Sequence, residues 1–190
     1  MKKSYFLILP LLFLLASCGP IIGQLTRLGD GIKTFQVVSG SLSTLKEGKR
    51  VLVVGPFAKG EGAYYIARGD DSAFFYREFD RNDYLKAELY VGDKNQDPEE
   101  AAGALRSLRG PELKVKLGLK AAPDYLVFGR ITERSTFVAP TRGVLQRVGY
   151  RLEIVDTANG GSTVVEAVVR DRFRDCTGII VDEIVRRAKG

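Results

Sequence analysis

Two cysteines and no histidine bound the chemistry open to this chain of 190 residues. Cys18 closes the tetrapeptide Leu15-Ala16-Ser17-Cys18, directly after an apolar run from Tyr5 to Leu15 that follows Met1-Lys2-Lys3. A basic start, an apolar middle and small residues before a cysteine make an export signal with a lipoprotein cleavage site. The pattern predicts that residues 1–17 are removed and that the Cys18 thiol is alkylated by diacylglycerol, leaving Cys18 as a lipidated amino terminus. Acyl chains such as palmitate contribute about 0.8 kcal/mol per buried methylene, so two or three of them form a firm anchor. The apolar run is shorter than the about 20 residues of a spanning helix, and Pro10 interrupts it. Gly19 stands where Gram-negative lipoproteins held at the inner membrane carry Asp, so the expected location is the periplasmic face of the outer membrane.

With Cys18 acylated, Cys176 has no partner for an intramolecular disulfide. Cys176, Ile180 and Ile184 follow i, i+4, i+8 spacing, which places the thiol on an apolar helix face and predicts a packing role. The lack of histidine removes the commonest general base and the commonest zinc ligand. Asp70-Asp71, Asp80 with Asp83, and Glu99-Glu100 sit where helix caps and solvated turns account for them. Gly55-Pro56-Phe57-Ala58-Lys59-Gly60 lacks the glycine spacing and the Lys-Ser/Thr pair of a phosphate-binding loop and reads as a turn. No catalytic residue, metal site or cofactor is therefore expected, and the chain is not expected to be an enzyme.

Arginine is the remaining functional group in quantity. Removing Lys2 and Lys3 from 29 basic side chains leaves 27 against 23 acidic ones, an excess too mild and too dispersed to suggest nucleic acid. Arg130, Arg134, Arg142, Arg147 and Arg151 cluster in the second half and are the candidate partner-binding surface, since Arg is enriched at interface hot spots. The competing reading is that Glu133, Glu153, Glu166 and Asp171 pair with them on a solvated sheet face.

The elements that would position these residues follow from periodicity. Residues 18–49 form a lipidated tether whose apolar positions Ile21, Leu25, Leu28, Ile32, Phe35, Val38, Leu42 and Leu45 are spaced by threes and fours. That spacing favours partial helix, while Gly23, Gly29, Gly31 and Gly40 favour a flexible linker. The globular domain spans residues 50–190. It opens with a buried strand at Val51–Val54, then a glycine-rich loop around Lys59 to Gly62 and a helix carrying Phe74, Phe75 and Phe79. A half-buried strand through Leu85–Val91 follows, then an Asp97-capped helix to about Leu108 and a short helix from Gly110 closed by Gly118. Tyr125–Phe137, Leu145–Val155 and Thr163–Phe173 read as strands, the last two joined at Asn159-Gly160-Gly161. A C-terminal amphipathic helix from Cys176 to Ala188, capped by Asp175, completes an α+β fold with a single mixed β-sheet and helices packed on it.

The run Ala122-Pro123-Asp124-Tyr125-Leu126-Val127-Phe128-Gly129-Arg130-Ile131, the strand Tyr150–Asp156 and the Asn159-Gly160-Gly161 turn resemble a family of envelope lipoproteins. These are penicillin-binding-protein activators of the LpoB type and their relatives, the curli secretion channel lipoproteins of the CsgG type. Pro123 departs from the usual Ala, and residues 60–118 lack the family's long helix. The resemblance implies a non-enzymatic outer-membrane lipoprotein that binds a periplasmic or envelope protein partner, serving cell-wall synthesis or envelope assembly. Its other branch implies an oligomeric secretion or channel component.

Overall fold

The computed structural model describes residues 30–63, 71–93, 95–139 and 143–190. The signal segment, Cys18 and the first part of the tether lie outside the described residues, as does Arg142. Val51 to Val54 are β-branched or apolar without interruption, and the strand they form, Arg50–Gly55 (β2), is buried on both faces. Val51 and Val53 point into the larger hydrophobic cluster, while Leu52 and Val54 point into a smaller one on the opposite side. This period-two division marks a central strand covered by helices above and below.

Around it the described strands form one mixed sheet. In chain order these are β1 (Gly31–Ser39), β2, β3 (Ala58–Gly62), β4 (Lys86–Val91), β5 (Tyr125–Ala139), β6 (Gly143–Asp156) and β7 (Ser162–Asp171). The spatial order is β1-β7-β6-β5-β2-β4, and β3 pairs with β5 beyond the end of β2. β2 runs parallel to β4 and β5, whereas β5, β6, β7 and β1 pair antiparallel. The Asp124 carboxylate fixes the start of the parallel pairing by accepting the Arg50 backbone N–H at 2.8 Å and the Lys49 ammonium at 3.1 Å.

Helices α1 (Asp71–Asn82) and α4 (Phe173–Lys189) cover one face. Phe75 and Phe79 of α1 and Ile180, Val181 and Ile184 of α4 meet β2, β6 and β7 there. Cys176 lies among them and is buried, as its helical spacing predicts. Helices α2 (Pro98–Arg106) and α3 (Gly110–Leu117) cover part of the other face through Ala102, Leu105 and Leu113. The expected signals start and stop both: the Asp97 carboxylate accepts from the Glu99 backbone N–H at 2.7 Å, and Gly118 ends α3 at φ 64°. The α+β class, the single mixed sheet and the C-terminal helix agree with the sequence reading.

Three local expectations change. Residues 31–39 are an edge strand rather than helix or free tether, and Leu42 and Leu45, in and just after a short 3₁₀ turn, are buried in the main cluster. The folded body therefore begins well before Arg50. A bulge between Ile32 and Thr34 explains the misleading periodicity, because the extra residue lets Ile32 and Phe35, three apart, pack toward the same core. The segment from Lys59 to Gly62 belongs to β3, which pairs with β5. The last strand ends at Asp171, and α4 starts at Phe173 with Arg172 at the cap position, so Asp175 lies inside the first turn.

Candidate functional site

At the carboxyl ends of the parallel strands the chain must leave the sheet, and α2 begins across that gap. Gly55 ends β2, Val91 ends β4, and Asp97 caps α2. Between them, over Phe128–Arg130 of β5 and Arg151 and Glu153 of β6, lies a cleft of about 420 Å³. In open sheets with parallel strands this is where ligands bind, since loops diverge there and leave a crevice.

The cleft has an apolar floor and a charged rim. Val54, Ala102 and Phe128 supply the floor. Arg106 of α2 reaches down to Glu153, with Nε and a terminal nitrogen donating to one carboxylate oxygen at 2.9 and 2.6 Å. Its guanidinium lies 5.2 Å over the Phe128 ring, so it is held by charge and by the π face together. Arg130 pairs with Glu99 at the start of α2. Arg151 pairs with Glu166 on β7. Arg130 and Arg151 sit directly opposite each other across β5 and β6, a placement that is repulsive unless neutralised. Glu99 on one side and Glu166 on the other provide that neutralisation, and the register continues to Gln36 on β1. Four strands thus carry a polar row, Arg130, Arg151, Glu166 and Gln36, leading out of the cleft over the uncovered half of the sheet.

Of the five arginines singled out from the sequence, the four among the described residues do not form one surface. Arg130 and Arg151 line the cleft. Arg147 lies further along β6 and pairs with Glu133 at 2.9 Å. Arg134 is a correction: its side chain is only 2% exposed and faces α1 and α4, so it is no contact surface. Strand alternation alone would put Arg130 and Arg134 on one face. A bulge between Ile131 and Glu133 inverts the phase and turns Arg134 inward. The expected pairing of Glu133 and Glu166 with these arginines holds, while Glu153 takes its partner from α2.

Arg134 instead anchors a buried network. It donates to the Asp71 carboxylate and, at 3.1 Å, to the Tyr150 hydroxyl, which itself donates to Asp71. Burial works against the Arg134 charge, but the Tyr150 and Asp71 oxygens outweigh it and hold its pKa above the usual arginine value. Burial, then the neighbouring Asp71 carboxylate, raises Tyr150 well above the ordinary tyrosine range. By sequence position Asp71 reads as a helix cap or solvated turn residue, and only tertiary contact reveals its partners. Nearby, burial pushes the Cys176 thiol up to about 12, and its S–H donates to the Arg172 carbonyl at 3.3 Å. This is an inert, packed thiol at the start of α4.

Sequence reasoning missed Arg106, Glu99 and Phe128 as cleft residues, because α2 and β5 are remote in the chain and no local pattern joins them. Among the described residues no group of acidic, cysteine or histidine side chains is arranged to hold a metal ion.

No protein-family model matches the chain, and no curated protein matches it. Among solved structures it is similar to a PelC dodecamer from Paraburkholderia phytofirmans, at 15% identity and TM-score 0.45, over 82% of this chain and 93% of that one. It is also similar to the hypothetical protein CT253 from Chlamydia trachomatis, at 14% identity and TM-score 0.38, over 75% of this chain and 94% of that one. At these levels the likeness carries no argument about what this chain does.

Proposed function

We propose that the protein is a non-enzymatic, lipid-anchored component of the bacterial envelope, held at the periplasmic face of the outer membrane through Cys18, whose folded domain binds an envelope protein partner. The observation that carries this reading is Leu15-Ala16-Ser17-Cys18 directly behind an apolar run, with the first described strand starting at Gly31. Residues 19–30 reach at most about 40 Å at about 3.3–3.6 Å each, so the domain works close to the membrane. The exposed side chains of Arg130, Arg147 and Arg151 supply the polar contact surface, and the resemblance over residues 124–173 suggests partners in cell-wall synthesis or envelope assembly.

The channel alternative ranks lower. A membrane-spanning hairpin needs about 9–11 alternating residues per strand. β3 accompanies β5 as far as Glu133, and β7 accompanies β6 from Gln146 onward. The part of the β5–β6 hairpin left to project, from Ser135 and up to Leu145, falls short of that length.

The test has two parts. Metabolic labelling with a fatty acid should mark the wild-type protein and not Cys18→Ala; equal labelling of both removes the anchor. Cross-linking of the full-length protein in living cells, read by mass spectrometry, should capture a defined envelope protein. A ladder of self-linked subunits would instead favour the channel reading.

A further inference from the structure

The cleft at the end of β2 and β4 has a feature that its shape alone does not explain: its charges cancel. Among the described residues of its lining, Arg106, Arg130 and Arg151 face Asp93, Glu99 and Glu153. A carboxylate or phosphate ligand would have to displace Glu99 or Glu153 from its arginine. An amine would have to displace an arginine from Glu99 or Glu153, or take Asp93, whose carboxylate already accepts the Asn95 backbone N–H. Trading one exposed ion pair for another gains little, so charge gives such a ligand no advantage.

A ligand rich in hydroxyl groups requires neither exchange. Its O–H groups donate to carboxylate oxygens while its oxygens accept from guanidinium N–H groups that the ion pairs leave unused. Each guanidinium carries five N–H donors, and in these pairs Arg106 commits two nitrogens, Arg130 one and Arg151 one. Half-buried Pro56, Ala58, Pro98 and Ala101 add apolar lining above the more deeply buried Val54, Ala102 and Phe128, a surface for the C–H face of a pyranose ring. The volume, about 420 Å³, falls within the about 300–1,000 Å³ of small-ligand sites. From the rim, Arg151, Glu166 and Gln36 continue the same alternation of donors and acceptors across three strands, a path for a chain longer than the cleft.

We infer that this cleft and the polar row leading from it bind an uncharged oligosaccharide, one end seated in the cleft and the rest lying along β6, β7 and β1. This site shares Arg130 and Arg151 with the surface proposed for a protein partner, but saccharide binding does not depend on that partner.

Saturation-transfer NMR on the full-length lipoprotein in a sugar-free detergent tests the inference, with three probes of equal length: tetra-N-acetylchitotetraose, a galacturonic acid tetramer and a glucosamine tetramer. The neutral tetramer should receive saturation, with an affinity that rising salt leaves unchanged. Ala101→Trp, which fills the cleft from the partly exposed side of α2, should weaken binding by about tenfold or more while the thermal midpoint holds. Glu166→Gln, outside the cleft on the row, should weaken binding of the neutral tetramer and leave that of the shorter N,N′-diacetylchitobiose unaffected. Transfer to none of the probes overturns the inference. So does binding confined to a charged tetramer and lost with salt, or binding to the neutral one that Ala101→Trp leaves intact. None of these outcomes bears on cross-linking to a protein partner.

Discussion

On the α1–α4 side of the sheet an arginine is shut into the core, whereas on the α2 side arginines of the same sheet stand half in water. Arg134 is 2% exposed and pairs with Asp71, which is equally buried. Arg130 and Arg151 are 41% and 46% exposed and pair with carboxylates that are themselves accessible. The same side-chain chemistry therefore does different work. On the closed side, removing one partner leaves a charge that water cannot reach. On the open side, removing one partner leaves a charge that water solvates, and the arginine is free to engage something else.

The comparison is broken most directly by Arg134→Ala. The variant leaves the buried Asp71 carboxylate with the Tyr150 hydroxyl but without its counter-charge and should lose about 3–5 kcal/mol of stability in chemical denaturation. The double variant Asp71→Ala with Arg134→Met removes the stranded charge and should recover part of the loss. A single variant within about 1 kcal/mol of wild type would show that the network is solvated and that the two sides do not differ.

Cys176 probes the same closure without altering the charge network. In a Cys18→Ala background it is the remaining thiol, and a pKa raised to about 12 leaves it about a thousandfold less ionised at pH 8 than a thiol at the ordinary value of 9.0. Alkylation by iodoacetamide should follow unfolding rather than the native state. Rapid labelling of the folded protein would mean that α4 opens readily.

Leu113→Ala separates the two clusters. It removes a fully buried side chain from the smaller cluster and should cost about 2–5 kcal/mol. Because that cluster joins α2 and α3 to the sheet, amide exchange in residues 98–117 should accelerate before exchange in α1 and α4. Uniform acceleration across the chain would show that the two layers unfold as one.

These contrasts follow from features of unequal visibility in the sequence. Val51–Val54, Asp97-Pro98, Gly118 and the three strands after Asp124 each carry a local signal, and each element forms within about two residues of where that signal places it. The bulges carry none. One extra residue near Ile32 makes a strand look helical, and one between Ile131 and Glu133 sends Arg134 to the opposite face from Arg130. A bulge depends on the neighbouring strand's register, which no single segment encodes. The cleft was hidden for a related reason: Arg106 and Glu153 are 47 residues apart and meet only because α2 crosses the ends of β2 and β4.

The smallest expected effect lies at the margin between the two sides. Glu183 is on α4, a helix of the closed side, yet its carboxylate faces Arg186 and Arg187 at the solvated last turn. Hydrogen bonds from Arg186 and then Arg187, with their charges, lower its pKa to about 2 from the ordinary 4.5. A carboxyl whose folded value is depressed adds stability that is fully present above its unfolded pKa and disappears as pH falls through the folded one. The contribution should therefore hold above about pH 5 and fade between about pH 4.5 and pH 2. Its partners are 68% and 38% exposed, so screening limits it to about 1 kcal/mol or less. Glu183→Gln should thus melt slightly below wild type at pH 6, and the two curves should converge near pH 2. Arg151→Ala, on the open side, should shift the midpoint by a similarly small amount at pH 6. If Glu183→Gln instead matched the loss of Arg134→Ala, burial of the ion pair would not be what distinguishes the two faces, and the contrast between them would have to rest on packing alone.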